Sequence, residues 1–128
     1  MKKILVIDDE EGFGQMLKYN LEGTNRYTVQ IETRGLQALS AARDFKPDLI
    51  LMDIMMADLS GSEAAAQIRA DEAFEKIPII FVTATVTAEE VNASGSKIGG
   101  QEFLAKPVGV TALLECLQKN LANSSNTT

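Results

Sequence analysis

Histidine and tryptophan are absent from this chain of 128 residues, and Cys116 is its single cysteine. Without His there is no Ser-His-Asp or Cys-His triad, no HExxH zinc site and no phosphohistidine on this chain. One Cys excludes an internal disulfide and any multi-Cys zinc site. Demanding chemistry here must run on carboxylates, Lys, Ser/Thr and oxygen-loving metals. No apolar run approaches the roughly 18 residues of a membrane span. Met1-Lys2-Lys3 is basic, but the apolar stretch at 4–7 is far too short for a signal-peptide core. The expectation is a cytoplasmic protein without a membrane partner. Basic residues are the minority, 12 against 18 acids, for a net charge of −6. That argues against duplex nucleic acid as a partner, because phosphate binding wants an excess of Lys and Arg. Repeats are absent, and the only low-complexity segment is the polar stretch 123–128.

The length suits one domain, expected over 1–122, with 123–128 a disordered polar tail or the start of a linker. Within the domain two kinds of segment alternate. Short apolar runs rich in Val and Ile occupy 4–7, 27–31, 49–52, 79–82 and, more weakly, 102–105. Their length and β-branching predict strands, and several lack polar alternation, so both faces must be covered. Between them apolar residues recur at helical spacing. Phe13, Met16, Leu17 and Leu21 form one stripe; Leu36, Leu39 and Ala42 a second; Ala64, Ala65 and Ile68 a third. Val110, Leu113, Leu114, Leu117 and Leu121 form the cleanest. Ser60-Gly-Ser-Glu63 and Thr87-Ala-Glu-Glu90 read as capping boxes. Pro47 and Pro78 stand just before strands, where helices must already have ended. The pattern is (βα) five times. It predicts an α/β fold: a doubly wound, five-stranded parallel sheet of order 2-1-3-4-5 with helices on both faces.

In such sheets ligands bind beyond the carboxyl ends of the strands, near the switch between strands 1 and 3. Strand 1 runs into Asp8-Asp9, strand 3 into Asp53, strand 4 into Thr83-Ala84 and strand 5 into Lys106-Pro107. Three carboxylates brought within a few ångströms cannot all ionise without a counter-charge. They must raise their pKa values or hold a hard cation, and a site made of carboxylate oxygens alone suits Mg²⁺. Lys106 adds a second positive charge, Thr83 a donor, and Ala84 leaves room beside it. This is a set for phosphoryl transfer with an Asp as nucleophile.

At this point the sequence resembles the receiver domain of the two-component response-regulator family, similar to chemotaxis regulators. The resemblance spans about residues 2–121. It rests on Ile-Leu-Val-Ile-Asp8-Asp9-Glu10, Asp48-Leu-Ile-Leu-Met-Asp53-Ile-Met-Met, Gly61, Val82-Thr83-Ala84 and Phe103-Leu-Ala-Lys106-Pro107. It implies that Asp53 accepts a phosphoryl group from a histidine kinase, a phosphotransfer protein or a small phosphodonor such as acetyl phosphate. It implies that Asp9, Asp53 and the backbone carbonyl of Met55 ligate Mg²⁺, with Asp8 acting through water. Lys106 would pair with the phosphoryl group, its bond to Pro107 being cis. Thr83 would turn toward a phosphoryl oxygen beside the Ala84 backbone, with Phe103 following inward. That remodels the face of the fourth helix, fifth strand and last helix, which a downstream protein would read. The resemblance implies a signalling module rather than an enzyme, monomeric or weakly dimeric through the same face.

Four features depart from the family pattern. Ala57 stands where the family commonly has Pro, and Ser60-Gly61 replaces Asp-Gly, so the loop over the site is expected to be looser. Met55 and Thr85 occupy positions that tune self-dephosphorylation in the family; an apolar Met55 cannot orient water, so a long-lived phosphorylated form is expected. Asn92, Ser94, Gly95 and Ser96 weaken the predicted fourth helix by about 2–3 kcal/mol relative to Ala. Gly99-Gly100 adds freedom before strand 5. Met52, Met55 and Met56 read as packing residues, and Glu10 and Glu11 as acids suited to a helix start. Two other functions remain open: a Mg²⁺-dependent phosphotransferase or hydrolase acting on a small substrate, and a receiver-like scaffold that is never phosphorylated.

Overall fold

A computed structural model of the chain describes residues 1–84, 97–98 and 101–125. Thr85, the predicted fourth helix with its capping box at Thr87, and Gly99-Gly100 lie outside the described residues. The strands are β1 (Lys2–Ile7), β2 (Tyr27–Glu32), β3 (Leu49–Asp53), β4 (Ile79–Thr83), β5 (Lys97–Ile98) and β6 (Gln101–Ala105). The helices are α1 (Glu11–Glu22), α2 (Ala38–Phe45), α3 (Gly61–Arg69) and α4 (Val110–Ser125), with 3₁₀ turns at Gly35–Gln37 and Glu72–Phe74. The sheet order is β2-β1-β3-β4-β6-β5. Its first five strands are parallel, which is the expected 2-1-3-4-5 order with β6 as fifth parallel strand. The addition is β5, paired antiparallel to β6 at the edge. Two residues are too few to carry a readable period.

The missing polar alternation in the central strands follows from their two covered faces. In β1, Ile4 and Val6 enter one core layer with Leu17, Leu21, Leu113 and Leu117 of α1 and α4. Leu5 and Ile7 enter the other, with Ala38 and Ala42 of α2 and Ala64 and Ile68 of α3. The residues of β3 divide the same way, Leu49 and Leu51 against Ile50 and Met52. All five residues of β3 and of β4 are buried.

The helical stripes include some residues that stay outside. Met16 is 42% exposed, Leu36 62% and Val110 43%. Leu36 belongs to the 3₁₀ turn before α2, and the buried face of α2 is Ala38, Ala41 and Ala42. The last helix runs from Val110 to Ser125. Ser60 caps α3 as predicted, its Oγ accepting from the Glu63 N–H at 3.2 Å and donating to the Glu63 carboxylate. Among the described residues no helix is long and apolar enough to cross a membrane.

Candidate active site

Side-chain parity aims the site. Asp8 continues the side of Ile4 and Val6, Asp53 that of Leu49 and Leu51, and Lys106 that of Leu104, so all three leave their strands toward one layer. Asp8, Asp53 and Thr83 are buried, while Asp9, in the turn after β1, is exposed. Carboxylate oxygens of Asp8, Asp9 and Asp53 lie within 4.8 Å of one another.

The end of β3 is set by a glycine. The Gly61 N–H donates to the Ile54 carbonyl at 2.7 Å. A Cβ at position 61 would overlap the Asp53 carbonyl oxygen and crowd Ile54. Only glycine therefore lets α3 begin this close to the strand that carries Asp53.

Lys106 is the counter-charge. Its Nζ lies 2.9 Å from Asp8 Oδ2, 3.0 Å from Glu10 Oε1 and 3.8 Å from Asp53 Oδ1. It also stands over the Phe13 ring, 4.4 Å from the centroid. The Lys106 N–H donates to the Thr83 carbonyl at 3.0 Å, and the Lys106–Pro107 bond is cis. Burial works against the ammonium charge, but the contacts with Asp8 and Glu10 outweigh it and raise its pKa. One lysine does not balance three carboxylates. Burial pushes Asp53 up to about 6, with Asp8 and Asp9 adding to the rise and Lys106 opposing it.

Two of these partners escape a reading of the sequence. Glu10 is at the start of α1 but its side chain makes no cap bond; it reaches across to Lys106 instead. Phe13 reads as core and is also the platform beneath the ammonium. Their partner is 96 residues away from Glu10, and no local period reports such a contact.

The loop after β3 is held by hydrogen bonds through Asp9 and Asp58. The Asp9 carboxylate accepts from the Ala57 N–H at 3.0 Å. Asp58 accepts from the N–H groups of Gly35 and Leu36, each at 3.0 Å. Those bonds, the one from Leu36 foremost, hold Asp58 below the usual carboxylate pKa. Ala at position 57 lacks the φ restraint of Pro but has the N–H that Pro lacks. Met52 and Met56 are buried as expected, but Met55 is 68% exposed on this rim. It follows the end of β3, where no helix among the described residues covers it.

Thr83 and Phe103 lie in neighbouring strands, with Thr83 opposite Ala105 and Phe81 opposite Phe103. Phe103 is partly buried against Phe81, ring centroids 5.7 Å apart. Ala84 is exposed at the end of β4. The rim therefore gathers Asp8, Asp9, Asp53, Thr83, Ala84 and Lys106, and Phe103 stands behind it.

Residues 4–118 match the family model described as the response regulator receiver domain. The chain belongs to this receiver family. It is 39% identical over 106 residues to the alkaline phosphatase synthesis regulator PhoP of Bacillus subtilis, covering 83% of this chain but 42% of that protein. It is 32% identical over 124 residues to the polar-differentiation response regulator DivK of Brucella ovis, covering 96% and 98% of the two chains. Among solved structures it resembles the Vibrio cholerae chemotaxis protein CheY4, with TM-score 0.79, 28% identity and coverage of 94% and 98%. It also resembles the receiver domain of the sensor histidine kinase PA1611 of Pseudomonas aeruginosa, whose structure has magnesium coordinated in the active site cleft. That match has TM-score 0.78 and 29% identity, and it covers 94% and 98% of the two chains. As a receiver, this domain is a two-component signalling module and not a conventional enzyme.

Proposed function

We propose that this receiver is a phosphorylation switch in which Asp53 is the phosphoacceptor. The observation that carries the reading is the convergence of three carboxylates within 4.8 Å on a lysine 3.8 Å from Asp53. An Asp53 oxygen attacks phosphorus, a new O–P bond forms, and the bond to the donor's nitrogen or acyl oxygen breaks. The donor is a histidine kinase, a phosphotransfer protein or acetyl phosphate. Lys106 exchanges part of its contact with Asp8 for the incoming phosphoryl oxygens.

The donor set fits Mg²⁺: all oxygen, under-balanced by one lysine, and open on the Asp9 side. Asp9, Asp53 and the backbone carbonyl of Met55 would hold it, with Asp8 acting through water. Bound there, Mg²⁺ neutralises carboxylate and phosphoryl charge. Thr83 then turns toward the phosphoryl group beside the Ala84 backbone, and Phe103, leaning on Phe81, follows inward. The surface altered is that of β6 and α4, where a downstream protein or a second copy in a weak dimer would dock; the fourth helix expected to share that face lies outside the described residues. Residues 1–122 form the receiver unit in this reading, and the cytoplasm is its compartment.

The test is acetyl phosphate with MgCl₂ on wild type and Asp53→Ala, read by intact mass. Wild type alone gains one phosphoryl group if the reading holds. Turnover of an added phosphoester would favour a small-substrate enzyme, and no gain at all a silent scaffold. Met55 is exposed and apolar, so it offers attacking water no hydrogen bond. Met55→Asn is expected to shorten the half-life of the phosphorylated form several-fold, measured by its decay in intact mass.

A further inference from the structure

Asp9 is the exposed member of the carboxylate cluster, so packing does little to hold it. Among the described residues it has one backbone donor: the Ala57 N–H, 3.0 Å from its Oδ2. That donor is itself fixed. The next residue, Asp58, is clamped by the N–H groups of Gly35 and Leu36, and the following turn is anchored by Gly61 N–H to the Ile54 carbonyl. The amide of Ala57 is therefore presented from a loop tied at both sides, across 48 residues of sequence from Asp9.

We infer that the Ala57 amide is a positioning group for Asp9, orienting its carboxylate for the divalent cation. The inference rests on the Mg²⁺ reading above and deepens it. A carboxylate has lone pairs on both oxygens, so a bond to Oδ2 leaves Oδ1 for the metal. A donor that orients a ligating carboxylate strengthens the site, and losing such an outer partner typically costs about 10–100-fold in metal affinity. Proline at 57 cannot supply this bond, because it has no N–H. The departure at Ala57 thus exchanges φ restraint for a hydrogen bond onto a metal ligand.

The two effects of proline predict opposite results. If loop stiffness alone governs the site, Ala57→Pro tightens Mg²⁺ binding. If the amide governs, Ala57→Pro weakens it by roughly tenfold, while Ala57→Ser, which keeps N–H and Cβ, stays near wild type. The measurement is a MgCl₂ titration of the ¹⁵N-labelled chain, following amide shifts around Asp8, Asp9 and Asp53. Unchanged or tighter binding by Ala57→Pro overturns the inference. Absence of saturable shifts in wild type overturns the Mg²⁺ reading itself and the metal-positioning role with it. A second arm needs neither metal nor a folded proline variant. In metal-free protein, Asp9→Ala is expected to speed hydrogen exchange at the Ala57 amide several-fold and to move its resonance. An Ala57 amide indifferent to Asp9→Ala would show that the bond is not held in solution, and would sink the inference.

Discussion

Lys106 has more partners than its proposed task needs. Asp8 and Glu10 hold its ammonium at 2.9 and 3.0 Å, while Asp53 is at 3.8 Å. Glu10 is largely exposed, and exposed ion pairs of this kind contribute about 0.2–1 kcal/mol. Glu10→Gln is therefore expected to free Lys106 toward Asp53 and to speed labelling by acetyl phosphate about 1.5–5-fold, read from the rate of mass gain. Slower labelling would mean that Glu10 orients the lysine productively. Asp53 has the opposite problem, an excess of negative neighbours. Its pKa is raised to about 6 by burial, then by Asp8 and Asp9. A raised carboxylate pKa means the fold binds the proton more tightly than the unfolded chain does. The ionised side chain thus opposes folding fully above pH 6, and the penalty fades as pH falls toward 4. In EDTA at pH 7.5, Asp53→Asn should stabilise the protein by roughly 1–3 kcal/mol, and the gain should shrink by pH 5. Thermal unfolding at the two pH values checks both the sign and the trend.

At the level of elements, helix and strand were legible because their apolar periods are local. The stripe Leu113, Leu117 and Leu121 packs as its spacing requires, and so do Leu17 and Leu21. The ends of stripes were misleading where a helix did not extend under them. Leu36 shares the spacing of α2 but sits in a 3₁₀ turn and is exposed. Cys116 lies beside Leu117 in α4 and is buried; burial, with Glu102 nearby, pushes its thiol up to about 12. That argues against ready oxidation, since the thiolate is the reactive form. The junction of β3 and α3 depends on Gly61. Any side chain there must displace the Asp53 carbonyl or the start of α3. Gly61→Ala is expected to cost about 1–3 kcal/mol, as overpacking does, and to slow Asp53 labelling as well. A urea midpoint that stays put would refute the close approach of helix and strand.

For the molecule as a whole, one pole carries unbalanced charge while two apolar layers supply the stability. A cation that binds only the folded state then stabilises by mass action, about 2.7 kcal/mol at a hundred times its dissociation constant. MgCl₂ should raise the melting temperature of wild type, whereas Asp53→Asn should respond little. An equal rise in both would point to nonspecific salt effects. The chain spans 98% of DivK but 42% of PhoP.

The amino-acid order alone determined the alternation of strands and helices, the parallel sheet and the strand-end residues, because each depends on near neighbours and on a rule of topology. It also determined that no histidine takes part in any chemistry of the given residues. Only the tertiary structure decided how the pole is wired: Glu10 and Phe13 around Lys106, Asp58 on the Gly35 turn, and the Ala57 amide on Asp9. Those contacts join residues 22 to 96 positions apart. Their geometry is set by the crossovers that bring the loops together, and no residue's own propensity encodes it.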